Sequence, residues 1–170
     1  LALRFAPDQG LDAFRGADEA RAAVLRIAQE PAADWLYLAG PAGSGKSHLL
    51  LGACSEARRL GQRAAYLPLA SLAGHVGAML QGQPSVGLTC LDGLEAIAGQ
   101  PEDEVALFHF HNAVRQAGGR LLYAARAMPA ALGITLPDLV SRLEQCTRLT
   151  LAPPDEATRR EVLRERAARR

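Results

Sequence analysis

Lysine is all but missing from these 170 residues: one lysine, Lys46, stands against 18 arginines. Arginine serves here wherever a generic positive charge will do, so the position that keeps lysine asks for a slender ammonium on a flexible stem. Net charge is equally scarce. With 19 basic and 18 acidic residues the formal charge is +1, which leaves no global electrostatic footprint of a nucleic-acid binder and limits any DNA contact to an indirect or weak local one. Cysteine is confined to Cys54, Cys90 and Cys146, widely spaced and without a C-x-x-C pair. That spacing suggests neither a disulfide framework nor a zinc site, and the three read as small buried hydrophobes. No apolar run approaches the roughly 18 residues a membrane helix needs, and no signal-peptide layout opens the chain. The expectation is a cytoplasmic protein with no membrane partner.

What is present suffices for one domain, since 49% of the residues are hydrophobic and a chain of this length buries a substantial core. The sequence starts at Leu1 rather than Met and stops at Arg170 inside a helical, Arg-rich pattern, so both ends are treated as open.

Five short apolar runs, at 34–39, 63–68, 87–92, 120–125 and 147–151, alternate with helical patterns. That order predicts an α/β fold with a parallel five-stranded sheet and crossover helices. Helices are expected over 17–30 with Pro31 as a stop, over 47–60, and over 102–117 with Gly118 and Gly119 at the end. A shorter one should follow Leu69. A last helix should begin after Pro153-Pro154, with Asp155 capping its free N–H groups.

Gly40-Pro41-Ala42-Gly43-Ser44-Gly45-Lys46-Ser47 matches G-x-x-x-x-G-K-[ST] in full, directly after an apolar run and directly before a helical pattern. Such a P-loop wraps backbone N–H groups around a β-phosphate, and side chains on its glycines would block that approach. The helix beginning near Gly45 adds free N–H donors and a partial positive charge, and the amide of His48 joins them. Lys46 should bridge the β- and γ-phosphates, and the Ser47 hydroxyl should sit in the Mg²⁺ shell.

The run Val86-Gly87-Leu88-Thr89-Cys90-Leu91-Asp92 is a buried-strand pattern ending in a carboxylate, so Asp92 is the second candidate for the metal shell. Its competing reading is a plain D-G turn with Gly93. ATPases of this type place an acidic residue directly after that Asp to orient water, and here the position is Gly93. Glu95 follows too far along to be assigned to the same face, so binding is better supported than hydrolysis.

Four stretches resemble the DnaA-related branch of the AAA+ superfamily. They are residues 40–50 with the Ser-His-Leu-Leu continuation, 61–69 ending in Tyr66-Leu67-Pro68-Leu69, 91–98, and Leu136-Pro137-Asp138-Leu139-Val140-Ser141-Arg142-Leu143. The last is the most specific. The resemblance implies an AAA+ nucleotide-binding domain over 1–152 and, over 153–170, the first helix of an incomplete lid. It implies ADP or ATP with Mg as ligands, with DnaA and the DNA polymerase III sliding clamp (beta subunit) as partners. A homodimer is left open. It further implies that Arg142 acts in trans as an arginine finger on DnaA-bound ATP; an intrahelical salt bridge to Asp138 is the competing reading. Leu1 and Leu3 would be the last two apolar anchors of the branch's Gln-Leu-x-Leu-x-Leu clamp-binding peptide if a Gln-Leu-x preceded them; a frayed terminal segment is the competing reading. The strand-end position of the branch's polar sensor falls at Ala124, which cannot hydrogen-bond, with Arg126 the substitute the stretch offers.

Other residues are not promoted. His109 and His111 sit two apart on a helix and point to different faces, while Trp35 and His75 suggest packing. The basic run Arg159, Arg160, Arg164, Arg166, Arg169 and Arg170, interleaved with Glu161 and Glu165, reads as a solvated helix face. Two further functions stay open: an active AAA+ ATPase such as DnaA or a helicase loader, and a small P-loop kinase.

Overall fold

The computed structural model describes residues 10–14, 16–84 and 86–168. Five parallel strands, β1 (Leu36–Ala39), β2 (Ala64–Pro68), β3 (Leu88–Asp92), β4 (Arg120–Ala125) and β5 (Thr147–Thr150), lie in the order β2-β3-β4-β1-β5. Among the described residues six α-helices connect or flank them: α1 (Asp18–Gln29), α2 (Lys46–Arg59), α3 (Val76–Gln81), α4 (Pro101–Ala117), α5 (Pro137–Glu144) and α6 (Glu156–Ala168). Each strand falls within the run expected for it, and α4 ends at Gly118 as the sequence indicates. The short helix after Leu69 proves to be a 3-10 turn at Leu69–Ser71 followed by α3.

Side chains alternate across a strand, and here both faces are covered, which is why β1 and residues 121–125 of β4 read as unbroken apolar runs. Leu36, Leu38, Leu122 and Ala124 face a cluster completed by Val24 and Ile27 of α1 and Leu49, Leu50 and Ala53 of α2. Tyr37, Ala39, Leu121 and Tyr123 face the other, completed by α3, α4 and α5 through Val76, Leu107, Val114 and Leu139. Cys54, Cys90 and Cys146 are buried thiols, as expected. By contrast the edge strand β5 is mostly exposed.

The first turn of α4 holds two buried carboxylates that fasten loops. Asp103 accepts the N–H of Gly74 at 2.8 Å. Glu104, with no exposed surface, accepts N–H groups from Gly99 (2.7 Å), Thr135 (3.0 Å) and Leu136 (2.9 Å), and the Thr135 hydroxyl at 2.7 Å. Leu136 is the residue before α5, so Glu104 caps the helix that carries Arg142.

His109 is exposed and His111 buried. The His111 Nδ1 lies 2.8 Å from the Tyr123 hydroxyl, and its ring meets Trp35 edge-on. Packing thus explains Trp35, but His75 is a correction: it is exposed, because it sits outside the core at the start of α3. Asp155 caps α6 by accepting the N–H of Thr158 at 2.7 Å, and α6 has no buried residue, which agrees with a solvated face. Leu1, Leu3, Arg169 and Arg170 lie outside the described residues. No helix among the described residues is long and apolar enough to cross a membrane.

Strand order fixes where a ligand can sit. The chain leaving β1 enters α2 on the first face, whereas the chain leaving its neighbour β4 runs to α5 on the second. A crevice opens between such diverging connections at the carboxyl ends of the strands, the usual ligand site of open parallel sheets.

Candidate nucleotide-binding site

The phosphate loop occupies that crevice, at the end of β1. Its root is stitched to both neighbouring strands: the Gly40 N–H donates to Ala125 O at 3.1 Å, and the Leu151 N–H donates to Ala39 O at 2.7 Å. A Cβ on Gly40 would lie 2.5 Å from Leu151 O and 2.9 Å from Ser44 Oγ, so no side chain fits there. At Gly45 the backbone is left-handed (φ 94°), and a Cβ would meet the Phe14 ring at 2.5 Å. Gly40 requires glycine for reasons of space, because the atom a Cβ would meet is backbone, and Gly45 requires it for its torsion. Phe14 packs against His48 as well, and His48 Nε2 lies 3.2 Å from Gly10 O, so the segment before α1 braces the start of α2.

Lys46 is 8% exposed. Its ammonium donates to Gly40 O at 2.5 Å, Pro41 O at 2.8 Å and Ser44 Oγ at 3.3 Å, so all three of its protons are directed within the loop. Burial lowers its pKa, against which Glu95 and then Asp92 push it upward, and Arg126 adds to the lowering.

Asp92 ends β3 with Leu88 and Cys90 on the α2 side of the sheet, and strand alternation puts its own side chain on that side. The Ser47 hydroxyl, in the first turn of α2, therefore reaches Asp92 Oδ2 at 2.5 Å. The Tyr66 hydroxyl donates to the same oxygen at 2.6 Å. Burial raises the Tyr66 pKa, and the bond to Asp92 raises it further, so the phenol stays a donor. Asp92 Oδ1 takes no hydrogen bond among the described residues.

Glu95, which the sequence left unassigned, also reaches the site. After Gly93, which is left-handed (φ 78°), a 3-10 turn at Leu94–Ala96 brings its carboxylate back to the end of β4. There Oε2 accepts the Arg126 N–H at 3.2 Å, and Oε1 pairs with Arg126 Nε at 3.4 Å. Tyr66 was also missed as a site residue; it arrives through the pairing of β2 with β3, in which Tyr66 stands opposite Cys90.

Arg142 lies on α5, half-buried, beside the inward-facing Leu143. Among the described residues no ion pair joins it to Asp138. Its charge, with that of Arg115, reinforces burial in holding the His111 pKa down to about 4.

No family model matches the chain. Its architecture, a five-stranded parallel sheet with a phosphate loop after β1, is that of the AAA+ type of P-loop NTPase fold. Among the solved structures that share it, a DNA replication initiation factor aligns with a TM-score of 0.83 and 22% identity, over 97% of this chain and 56% of that one. DnaA from Aquifex aeolicus, solved with AMPPCP bound, aligns at 0.80 and 21% identity, over 96% of this chain and 56% of that one. DnaI aligns at 0.65 and 15% identity, over 89% and 93%. The chain thus spans little more than half the length of the first two, and at these identities the likeness establishes the fold.

Proposed function

We propose that the chain is an adenine-nucleotide-binding regulator of the DnaA-related branch of AAA+ proteins, similar to Hda. It docks on DnaA and on the DNA-loaded sliding clamp and promotes hydrolysis of DnaA-bound ATP, which restrains replication initiation. The observation that carries the reading is the convergence of Lys46, Ser47 and Asp92 on one crevice of a fold shared with AMPPCP-bound DnaA.

In this reading the N–H groups of residues 40–48 cradle the phosphates of ADP or ATP, and Lys46 swings from the loop carbonyls to the phosphate oxygens. Ser47 Oγ and the Asp92 carboxylate are hard oxygen donors of the kind Mg²⁺ takes, and Asp92 Oδ1 is unengaged, so the residues fit the ion. Bound there, Mg²⁺ neutralises phosphate charge. Residues 1–152 form the nucleotide domain and 153–170 begin the lid. Leu1 and Leu3 serve the clamp contact as apolar anchors. Gly93 and Ala124 supply no polar side chain for water or a terminal phosphate, which supports weak intrinsic turnover. Arg142, partly exposed and unpaired with Asp138, is the group that acts on the nucleotide of DnaA.

The test is hydrolysis of DnaA-bound ATP in the presence of clamp loaded on DNA. Wild-type protein should accelerate it, and Arg142→Ala should fall towards the unstimulated rate, since a trans-acting arginine is worth about a thousandfold or more. The variant should keep ADP and clamp binding. Full activity of the variant refutes the role of Arg142; no acceleration by wild type refutes the regulator. A second reading, an ATPase of the helicase-loader kind, draws support from the likeness to DnaI and from Glu95 lying in the crevice. Steady-state turnover without DnaA would favour it.

A further inference from the structure

At the far end of the sheet from the phosphate loop, a cavity of about 420 Å³ lies against the amino ends of β2 and β3. That volume is in the range of small-molecule sites. From Leu88 at this end, β3 runs to Asp92 at the other, so about 13 Å of strand separates the two places. Arg58 and Arg63 line the cavity, and none of the described residues lining it is acidic. Arg58 is fixed by donating to Ala64 O through Nε (3.2 Å) and Nη2 (2.8 Å). Arg63 is fixed through its backbone: the Leu88 N–H donates to Arg63 O at 2.9 Å, and a Cβ on Gly87 would lie 2.3 Å from the same oxygen. The exposed Arg63 guanidinium takes no hydrogen bond or ion pair among the described residues. Behind the lining residue Gln62, buried Arg120 donates to Gln62 Oε1, Ile27 O and Glu30 O, all uncharged acceptors. No carboxylate among the described residues neutralises it.

Thr89 lines the same cavity and is only 4% exposed. Its hydroxyl has no hydrogen-bond partner among the described residues, in which the one fully sealed side-chain polar atom without a partner is His111 Nε2. The Thr89 hydroxyl therefore opens onto the cavity. A hydroxyl so nearly buried is costly to leave unbonded, and a ligand atom in the cavity would satisfy it. The Gln83 amide, also without a partner, is a further polar group of the lining. Pro84, Val86 and Leu88 supply apolar surface, and Val86 is 46% exposed.

We propose that this cavity binds a small organic anion, an oxyanion head on an apolar body: the head meets the Arg63 guanidinium beside Arg58, a polar atom of the body bonds the Thr89 hydroxyl, and the apolar part covers Val86 and Leu88. A guanidinium presents paired donors that match a carboxylate or a phosphate equally well. With no acidic residue in the lining, the field inside is positive and selects an anion over a neutral molecule of the same shape. Residues 40–47 take no part, so the site stands or falls separately from the nucleotide reading.

The experiment is an NMR titration of the ¹⁵N-labelled chain with phenyl phosphate, benzoate and the neutral benzamide. The two anions should shift the amides of residues 63–65, 83 and 88–89, with dissociation constants on the order of 1 mM, and the tighter of them identifies the head group. Benzamide should leave those amides in place. Arg63→Gln, at an exposed position, should weaken anion binding about tenfold or more, the range of a charge-assisted hydrogen bond; Thr89→Val, which keeps the side-chain shape, should weaken it a few-fold. Amide shifts at the cavity with neither anion would overturn nothing only if they were present, so their absence overturns the proposal, as would equal binding of benzamide or wild-type affinity in Arg63→Gln. Shifts confined to residues 40–48 would also overturn it, while leaving the phosphate-loop reading in place.

Discussion

Glu104→Gln should destabilise the fold by several kcal/mol while leaving the phosphate loop untouched. The wild-type carboxylate receives four donors: Gly99 N–H, Thr135 N–H, the Thr135 hydroxyl and Leu136 N–H, at 2.7 to 3.0 Å. Glutamine keeps one carbonyl oxygen and turns a donor towards donors. About two hydrogen bonds to a charged group are lost, each worth roughly 1.5–3 kcal/mol, or about 3–6 kcal/mol together. At about 2–4 °C per kcal/mol for a chain of this size, the melting temperature at neutral pH should drop by about 10 °C. Acid provides the control. Burial alone would raise the Glu104 pKa, but the bonds from Thr135, Gly99 and Leu136 outweigh it and hold the pKa below the usual value. A depressed carboxyl contributes stability that is present above its unfolded-state pKa and is lost as pH falls through its folded-state pKa. The gap between wild type and variant, followed by thermal melts across pH 7 to 3, should therefore narrow on the acid side. A variant that melts within about 2 °C of wild type at pH 7 would refute the reasoning, and so would a gap that persists in acid.

Gly40→Ala would set a Cβ 2.5 Å from Leu151 O. It should cost about 1–3 kcal/mol through overpacking and weaken ADP binding by displacing the loop root, as a denaturant titration and a binding titration would report. His111, held down to about 4 by burial and by Arg115 and Arg142, is neutral when folded but titrates near 6.5 when unfolded. Its folded-state pKa is depressed, so the unfolded chain binds the extra proton. Stability should fall by up to ~3 kcal/mol between pH 7 and 4. Urea midpoints for His111→Gln should lack that part of the slope.

The central strands were legible because both faces are buried. Continuous runs such as Leu121 to Ala125, punctuated by Gly118 and Gly119, leave little room for another assignment. The P-loop was legible because its chemistry is contiguous in sequence. Asp92 needed only strand alternation to meet Ser47. Tyr66 and Glu95 needed more. Tyr66 reaches Asp92 through the register of two strands more than twenty residues apart, which no local pattern encodes. Glu95 returns to the site because Gly93 takes a left-handed torsion and a three-residue turn follows. The Asp92-Gly93 pair signalled a turn, but a turn so short gives no periodicity from which to read its direction. Nothing local distinguishes the buried Glu104 from Glu102 and Asp103 in the first turn of α4; only tertiary contact with 135–136 does.

The account depends most on Lys46 meeting phosphate. Titration of ADP into Lys46→Ala by calorimetry, beside a thermal melt that verifies the fold, tests this directly. Loss of about two charge-assisted hydrogen bonds, each roughly 1.5–3 kcal/mol, predicts an affinity at least about a hundredfold weaker than wild type. An affinity equal to that of wild type, in a variant that melts normally, would contradict it.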